Sequence, residues 1–276
     1  MNLGGSILII VVATTAAVTA LLLVRRNAPE GSFFNDGDRA AGVFGVLATG
    51  FAILLGFVVF LAFTSYDSSR SGAETEALTV GQQFETAQFL PQGVRRRLGE
   101  ELVCYGRSVV YLEWPRMEAG TEGDAINPWG TALFKTLRTA SPRTAPEQAA
   151  YGKWLDQTSD RETARNNRIH GADGVVPGPL WLVLIAIAAL ILVFMMFFAD
   201  SGERAVVQAL LIGTVITVFV ATLLVVEFLN TPFDRGLGSL RPVAMQRTLR
   251  ILEEERLVVS DTRPLPCDAA GRSPSA

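Results

Sequence analysis

Five features of this 276-residue chain could in principle do chemistry: His170, Cys104, Cys267, Glu227 and the run Arg95-Arg96-Arg97. His170 is the only histidine, so a histidine-based metal cluster cannot be assembled, and a solvated loop imidazole is the plain reading. The two cysteines are too few and too far apart in sequence to suggest a disulfide framework or a zinc site. They read as free thiols, Cys104 being a small packing residue beside an apolar stripe. No phosphate-cradling glycine loop, HExxH, GxSxG or CxxC occurs. The expectation is therefore no catalytic residue, no metal, no cofactor and no enzyme.

Arg95, Arg96 and Arg97 could meet anionic lipid or line a cationic vestibule, but three arginines at a helix start oppose the helix dipole. The structural alternative is a solvated face with Glu100 or Glu101 as partner one turn on. Glu227 lies in an apolar run, where an ionisable group is costly and faces protein or water, although its place near the end of the run also lets it reach the interface. It stands as an electrostatic or structural site.

The elements that must hold these residues are set by hydropathy. Apolar residues make up 49% of the chain and charged ones 18%, with mean hydropathy +0.32, which is too apolar for an ordinary soluble protein of this size. The excess lies in Ser6–Val24, Ala41–Thr64, Pro179–Ala199 and Ala205–Leu229, and the only charge within them is Glu227. Each is long enough to cross a bilayer, which takes about 20 apolar residues as a helix. The first run lacks the leading positive charge of a signal peptide, because Arg25-Arg26 follow it, and it reads as a retained membrane helix. A net charge of −3 provides no basic field for nucleic acid.

The expected fold is an all-α membrane protein with four spans in 2 + 2 order around a helical extramembrane insert. Its segments are 1–65 (two spans), 66–178 (insert), 179–229 (two spans) and 230–276 (amphipathic helix and disordered tail). In the insert, Ser68–Leu90 is expected to be a helix ended by Pro91. A second helix carries the stripe Leu98, Leu102, Tyr105, Val109 and Leu112, until Pro115 stops or kinks it. Loops fall at Gly120–Pro128 and Ser141–Pro146, with a short helix Trp129–Thr139 between them. Thr144, Pro146 and Glu147 start another helix through a capping box, and it runs to about Asn167. After the break at Thr231–Asp234, Pro242–Val259 forms an amphipathic helix on Val243, Leu249, Leu252 and Leu257, and Asp261–Ala276 is expected to be disordered.

Charge does not fix the orientation. Arg70, Arg165, Arg168, Arg235 and Arg241 flank the spans on the side of the insert and tail; Arg25, Arg26, Arg39 and Arg204 flank them on the other. In the second span, Thr49, Ile53, Phe57, Leu61 and Thr64 share one helical face, which serves helix packing or lines a pore. Gly50 and Gly56 permit close helix approach elsewhere on the same helix.

Several strings taken together resemble the bacterial family named for its bestrophin-like domain, over most of Phe34 to about Val243. They are Asn35-Asp36, Leu54-Leu55-Gly56-Phe57-Val58-Val59, Tyr105 with Glu113-Trp114-Pro115, Arg161 and Arg165, and Pro232-Phe233. More distantly, the resemblance implies the bestrophin anion channels: homopentamers with four spans in the same order and cytosolic termini and insert. Leu55-Gly56-Phe57 is similar to the neck motif of that group, which implies Phe57, Ile53 and Thr49 as neck residues, although Thr49 is polar where an apolar side chain is the rule. The string Glu227 to Phe233 resembles the end of the fourth bestrophin helix, but Asp234-Arg235-Gly236 replaces the acidic run that binds calcium in animal members. One carboxylate beside an arginine cannot supply the 6–8 oxygens calcium takes, so no calcium clasp is expected.

The reading is an oligomeric, anion-permeable channel gated by dewetting at the apolar rings of Ile53 and Phe57. Its partners are the lipid bilayer, other copies of itself (a pentamer by resemblance) and an inorganic anion, without nucleic acid. Its location is the bacterial plasma membrane, with N-terminus, insert and C-terminus cytosolic. The alternative is a membrane-anchored helical interaction or scaffold protein without transport activity, suggested by amphipathic faces at Leu98–Leu112 and in the tail that must bury themselves on something. A transporter fits less well, since four spans without broken polar segments leave little room for an alternating-access site.

Overall fold

The computed structural model describes residues 3–121, 127–258 and 264–273, the side chains of 257 and 258 excepted. Helices form where the apolar runs lie: α1 Leu3–Arg25, α2 Gly37–Ala87, α7 Gly178–Met196 and α8 Ala205–Asn230 are all long and apolar enough to cross a membrane. Between and after them come α3 Gln92–Ser108, α4 Trp114–Glu118, α5 Pro128–Leu137, α6 Ala145–His170 and α9 Val243–Val258. No strand occurs among the described residues. The chain is an all-helical, multi-pass membrane protein.

Contacts divide it into two compact units. The membrane unit comprises 1–65, 174–230 and 235–237. Within it α1 packs along α8: Ala17 and Leu21 meet Ile212 and Ile216, and the Thr14 and Thr217 hydroxyls are 3.0 Å apart. Phe51, Leu55 and Val58 of α2 pack with Leu184 and Ile191 of α7 and Val226 of α8. Arg25 caps the loop between α7 and α8, donating to the carbonyls of Asp200 (3.1 Å), Ser201 (3.0 Å) and Glu203. Asn230, the last residue of α8, accepts from the backbone N–H groups of Val175 and Val176, both at 2.8 Å.

The insert unit, 66–173 with 231–234 and 238–276, has its own core. Here α2 is one unbroken helix of 51 residues that joins the apolar run ending at Thr64 to the insert helix expected from Ser68. No glycine or proline stands in Ser65–Ser71, so nothing interrupts the hydrogen-bond ladder. The helix closes at Ala87, and Leu90 N–H bonds back to the Ala87 carbonyl ahead of Pro91. The capping box of α6 is present: the Thr144 hydroxyl accepts from Glu147 N–H, and the Glu147 carboxylate accepts from Thr144 N–H at 3.0 Å.

Three expectations fail for local reasons. First, Pro115 does not stop the chain. A π-helical turn at Val109–Glu113 precedes it, and the helix continues into α4. The extra residue of that turn rotates Leu112 partly out of the core and Glu113 into it. Second, the tail is ordered where described. Cys267 forms a disulfide with Cys104, which is fully buried, so neither cysteine is a free thiol. The Trp129 indole N–H donates to the Gly271 carbonyl at 2.7 Å. Gly271 has φ +84°, and its Cα lies so close to the Arg107–Ser108 backbone that a Cβ would come within 2.4 Å of Ser108 N, so only glycine fits. Residues 261–263 and 274–276, like most of the expected loop at 120–128, lie outside the described residues. Third, Val243 is exposed, while Met245, Leu249 and Leu252 make the buried face of α9.

Candidate functional site

The face of α2 that carries Thr49, Ile53 and Phe57 points away from the membrane unit's own core. Phe51, Leu55, Val58 and Ala62 are buried on one side of the helix. Steps of about 100° per residue put Thr49, Ile53, Phe57 and Phe60 roughly opposite them, and all four are exposed, Ile53 at 70% and Phe57 at 59%. Gly42, Gly45, Gly50 and Gly56 have no neighbour within 4 Å of where a Cβ would stand. This side of the helix thus presents the large apolar side chains of Ile53, Phe57 and Phe60 beside open glycine positions, with Thr49 one turn from Ile53. Such a strip accepts a second helix at close range. The spans of one chain cover little of one another, with 11% to 22% of each apolar window buried, so most of the membrane unit's surface meets lipid or further copies.

The other nominated residues are placed separately. Glu227 is half-buried in the last turn of α8. Arg95 donates to the Gln88 carbonyl at 3.3 Å, and Arg97 pairs with Glu101 at 3.2 Å, the partner expected one turn on. Glu101 is itself buried, accepts from the Thr136 hydroxyl at 2.8 Å, and is pushed above the ordinary carboxylate range by that burial. His170 ends α6 as an exposed residue.

Sequence reasoning missed a buried charge network in the insert. Gly72 of α2 lies against the α6 backbone so closely that a Cβ would sit 2.6 Å from Arg168 N, and this approach brings Arg168 beside Glu76 one turn along α2. Arg168 is fully buried; its Nε is 2.5 Å from Glu76 Oε2, and its Nη2 donates to Glu113 Oε2 at 2.7 Å. Tyr105 donates to Glu76 Oε1 at 2.5 Å and Asn127 to Glu113 Oε1 at 2.7 Å. Burial raises the Glu113 pKa, but Arg168 and Arg165 overcome it and hold the carboxyl below its usual range. Burial, and then the charge of Glu76, push the Tyr105 phenol well up, so it stays neutral and donates. The Arg168 guanidinium lies 5.8 Å from the Trp114 ring, and Trp114 meets Phe233 edge-on at 5.4 Å. Tyr105, Glu113, Trp114, Arg161, Arg165 and Phe233, scattered in sequence, are thus gathered in one unit. The signal that could have revealed it was an arginine at each turn of α6 (161, 165, 168), against which that helix sets a single acid at pairing distance, Glu162 three residues before Arg165.

Four membrane-length helices in 2 + 2 order around a helical insert define the class of protein, and comparison places it more closely. The model of the bestrophin-like domain matches residues 9–244, and the chain belongs to that family. Its fold is shared with a bacterial bestrophin homologue from Klebsiella pneumoniae, at 14% identity over 95% of this chain and 100% of that one, with a TM-score of 0.64. A single-substitution variant of a bestrophin homologue from the same organism matches at 14% identity over 93% and 98%, with the same TM-score. A crystal structure described as a membrane protein matches at 15% identity over 89% and 97%, with a TM-score of 0.68. None of the curated proteins matches the chain.

Proposed function

We propose that this chain is one subunit of an anion-permeable channel, in which the α2 helices of several copies surround a pore with Thr49, Ile53 and Phe57 at its neck. The observation that carries the reading is the uncovered α2 face: large apolar side chains at Ile53 and Phe57 among open glycine positions, in a member of the bestrophin-like family. A ring of such side chains makes a narrow apolar constriction that excludes water until small helix movements widen it. A homopentamer in a bacterial plasma membrane follows from the family resemblance. The anchored-scaffold alternative loses its main support, because the faces at Leu98–Leu102 and Leu249–Leu252 are buried inside the insert and need no external partner.

A neck that fills with water each time it opens makes a specific demand on reactivity. Ile53→Cys should react with a water-soluble methanethiosulfonate reagent much faster than Leu182→Cys, a residue of α7 that is 69% exposed and has no place in the pore. Thiolates form in water and not in lipid. Equal, slow modification at both positions would remove α2 from the pore.

Two readings of orientation each have a basis. The resemblance supports cytosolic termini and insert. The Cys104–Cys267 disulfide favours an insert on the oxidising side of the membrane, where such bonds persist. Arg25 and Arg26 would then be cytosolic, in keeping with the tendency of basic loops to stay inside, although the flanking basic residues as a whole favour neither side. A reporter at exposed Ser141, Ser141→Cys, separates the two: labelling by an impermeant maleimide in intact cells puts the insert outside, and protection puts it in the cytosol.

A further inference from the structure

The strap of chain at 264–273 is tied to the rest of the insert by one covalent bond and by weaker contacts. Cys267 is joined to Cys104 of α3. The Trp129 indole donates to the Gly271 carbonyl at 2.7 Å, and Arg107 Nη1 reaches the Asp268 carbonyl at 3.4 Å. Leu265 and Cys267 pack, partly buried, against the core. The strap is shaped by its own turn: the Asp268 carboxylate accepts from the N–H groups of Ala270 at 2.9 Å and Arg272 at 2.7 Å, and Gly271 N–H bonds back to the Asp268 carbonyl at 3.1 Å. Contacts of this kind each weigh little against the conformational entropy of ten ordered residues, so the disulfide decides whether the strap is seated.

The seated strap bears on the turn that positions the buried charge network. Gly271 lies against the Arg107–Ser108 backbone, and the π-helical turn that brings Glu113 into the core begins at the next residue, Val109. A second line of contact runs through side chains. The Gly271 carbonyl holds the Trp129 indole, Trp129 N–H donates to Asn127 Oδ1 at 3.1 Å, and Asn127 Nδ2 donates to Glu113 Oε1 at 2.7 Å. Glu113 in turn accepts from Arg168 at 2.7 Å. Both lines end on the same carboxylate, and both lie within the insert unit.

The two cysteines differ in reach. Cys104 is fully buried in α3, whereas Cys267 is only half-buried, so an incoming thiolate is admitted at Cys267. We propose that Cys104–Cys267 is an exchangeable disulfide opened at Cys267 by a dithiol reductant, and that the strap it holds is a redox-operated clamp on the Glu113 end of the buried network. One thiolate of the reductant attacks Cys267 Sγ; the S–S bond breaks with its electron pair going to Cys104 Sγ, which takes up a proton. The second thiolate attacks the mixed disulfide and releases Cys267, and the reductant leaves as its own disulfide. Two electrons and two protons pass from the dithiol to the cysteine pair. Oxidised, the strap seats Gly271 and fixes the π-helical turn; reduced, it lifts, and the turn and Glu113 gain freedom. Oxidising surroundings keep the clamp closed and a thiol-rich compartment opens it, whichever side of the membrane the insert faces. The clamp does not depend on whether the α2 face conducts ions.

The test is amide hydrogen exchange, followed by mass spectrometry on full-length protein in nanodiscs before dithiothreitol, after it, and after reoxidation. Reduction should free both thiols and make exchange about tenfold faster or more in 264–273 and in 105–118. The capped start of α6 should exchange as before, and reoxidation should restore protection, which separates release of the strap from unfolding. Gly271→Ala reaches the same clamp without touching sulfur. A Cβ there would stand 2.4 Å from Ser108 N, so 105–118 should exchange several-fold faster in that variant with the disulfide intact. Complete reduction that leaves either segment as protected as before would overturn the assignment. So would a disulfide that dithiothreitol opens only in denaturant, or wild-type protection of 105–118 in Gly271→Ala.

Discussion

Arg168 shows what a single residue must do to keep two carboxylates inside a protein. Removing a guanidinium while leaving Glu76 and Glu113 in place strands buried negative charge, a change that costs about 3–5 kcal/mol in comparable sites. Arg168→Met should therefore lower the stability of the insert by about that amount, as followed by thermal or denaturant unfolding. The pH dependence has a definite sign. Because the Glu113 pKa is depressed in the folded state, its contribution is present above the unfolded carboxylate pKa and is lost as pH falls through the lower, folded value. In Arg168→Met the buried acids instead favour protonation, so the gap between wild type and variant should narrow toward acid pH. A gap that widens on acidification would contradict the pairing. Arg95, Arg96 and Arg97 carry far less weight at this scale, since the Arg97 side chain of the Arg97–Glu101 pair is 72% exposed.

At the scale of elements, the tail is the instructive case. Nothing in the composition of 264–273 suggests order, yet three long-range contacts hold it: the Cys104 disulfide, the Trp129 indole bond to Gly271 and the glycine's close approach to α3. Each depends on partners more than 100 positions away, which spacing arguments cannot reach. Cys104→Ser should cost about 2–5 kcal/mol of unfolding free energy and make the segment after α9 susceptible to protease while the helices persist. Unchanged protection of the tail in that variant would show that the other two contacts suffice. The same logic explains the rest of the record. The four spans, the capped start of α6 and the interruption at Pro91 were legible because hydropathy, capping chemistry and missing donors act within a few residues. The continuous α2 was missed because an apolar run ends at the membrane surface whether or not its helix does. Glu113 was missed because one π-helical turn shifts the helical register, and no periodicity rule anticipates an extra residue. For the candidate neck, the sequence showed that Thr49, Ile53 and Phe57 share a face; that this face is uncovered required the packing of Phe51, Leu55 and Val58 on the other side.

For the whole molecule, the balance between covered and uncovered surface is what the proposed assembly rests on. The insert buries its amphipathic faces within itself, whereas the spans bury little, and on α2 the uncovered strip combines open glycines with Ile53 and Phe57. Such a strip can be covered by lipid or by other helices, and in the channel proposed above a ring of α2 helices would align Phe57 from every copy at one level of the pore. The most direct measurement is chloride efflux from liposomes reconstituted with purified wild-type protein or Phe57→Ala, against protein-free vesicles. The channel account predicts efflux above the protein-free baseline and a further rise in Phe57→Ala as the apolar ring widens. Correctly inserted protein that leaves both sets of vesicles as tight as the baseline would contradict it.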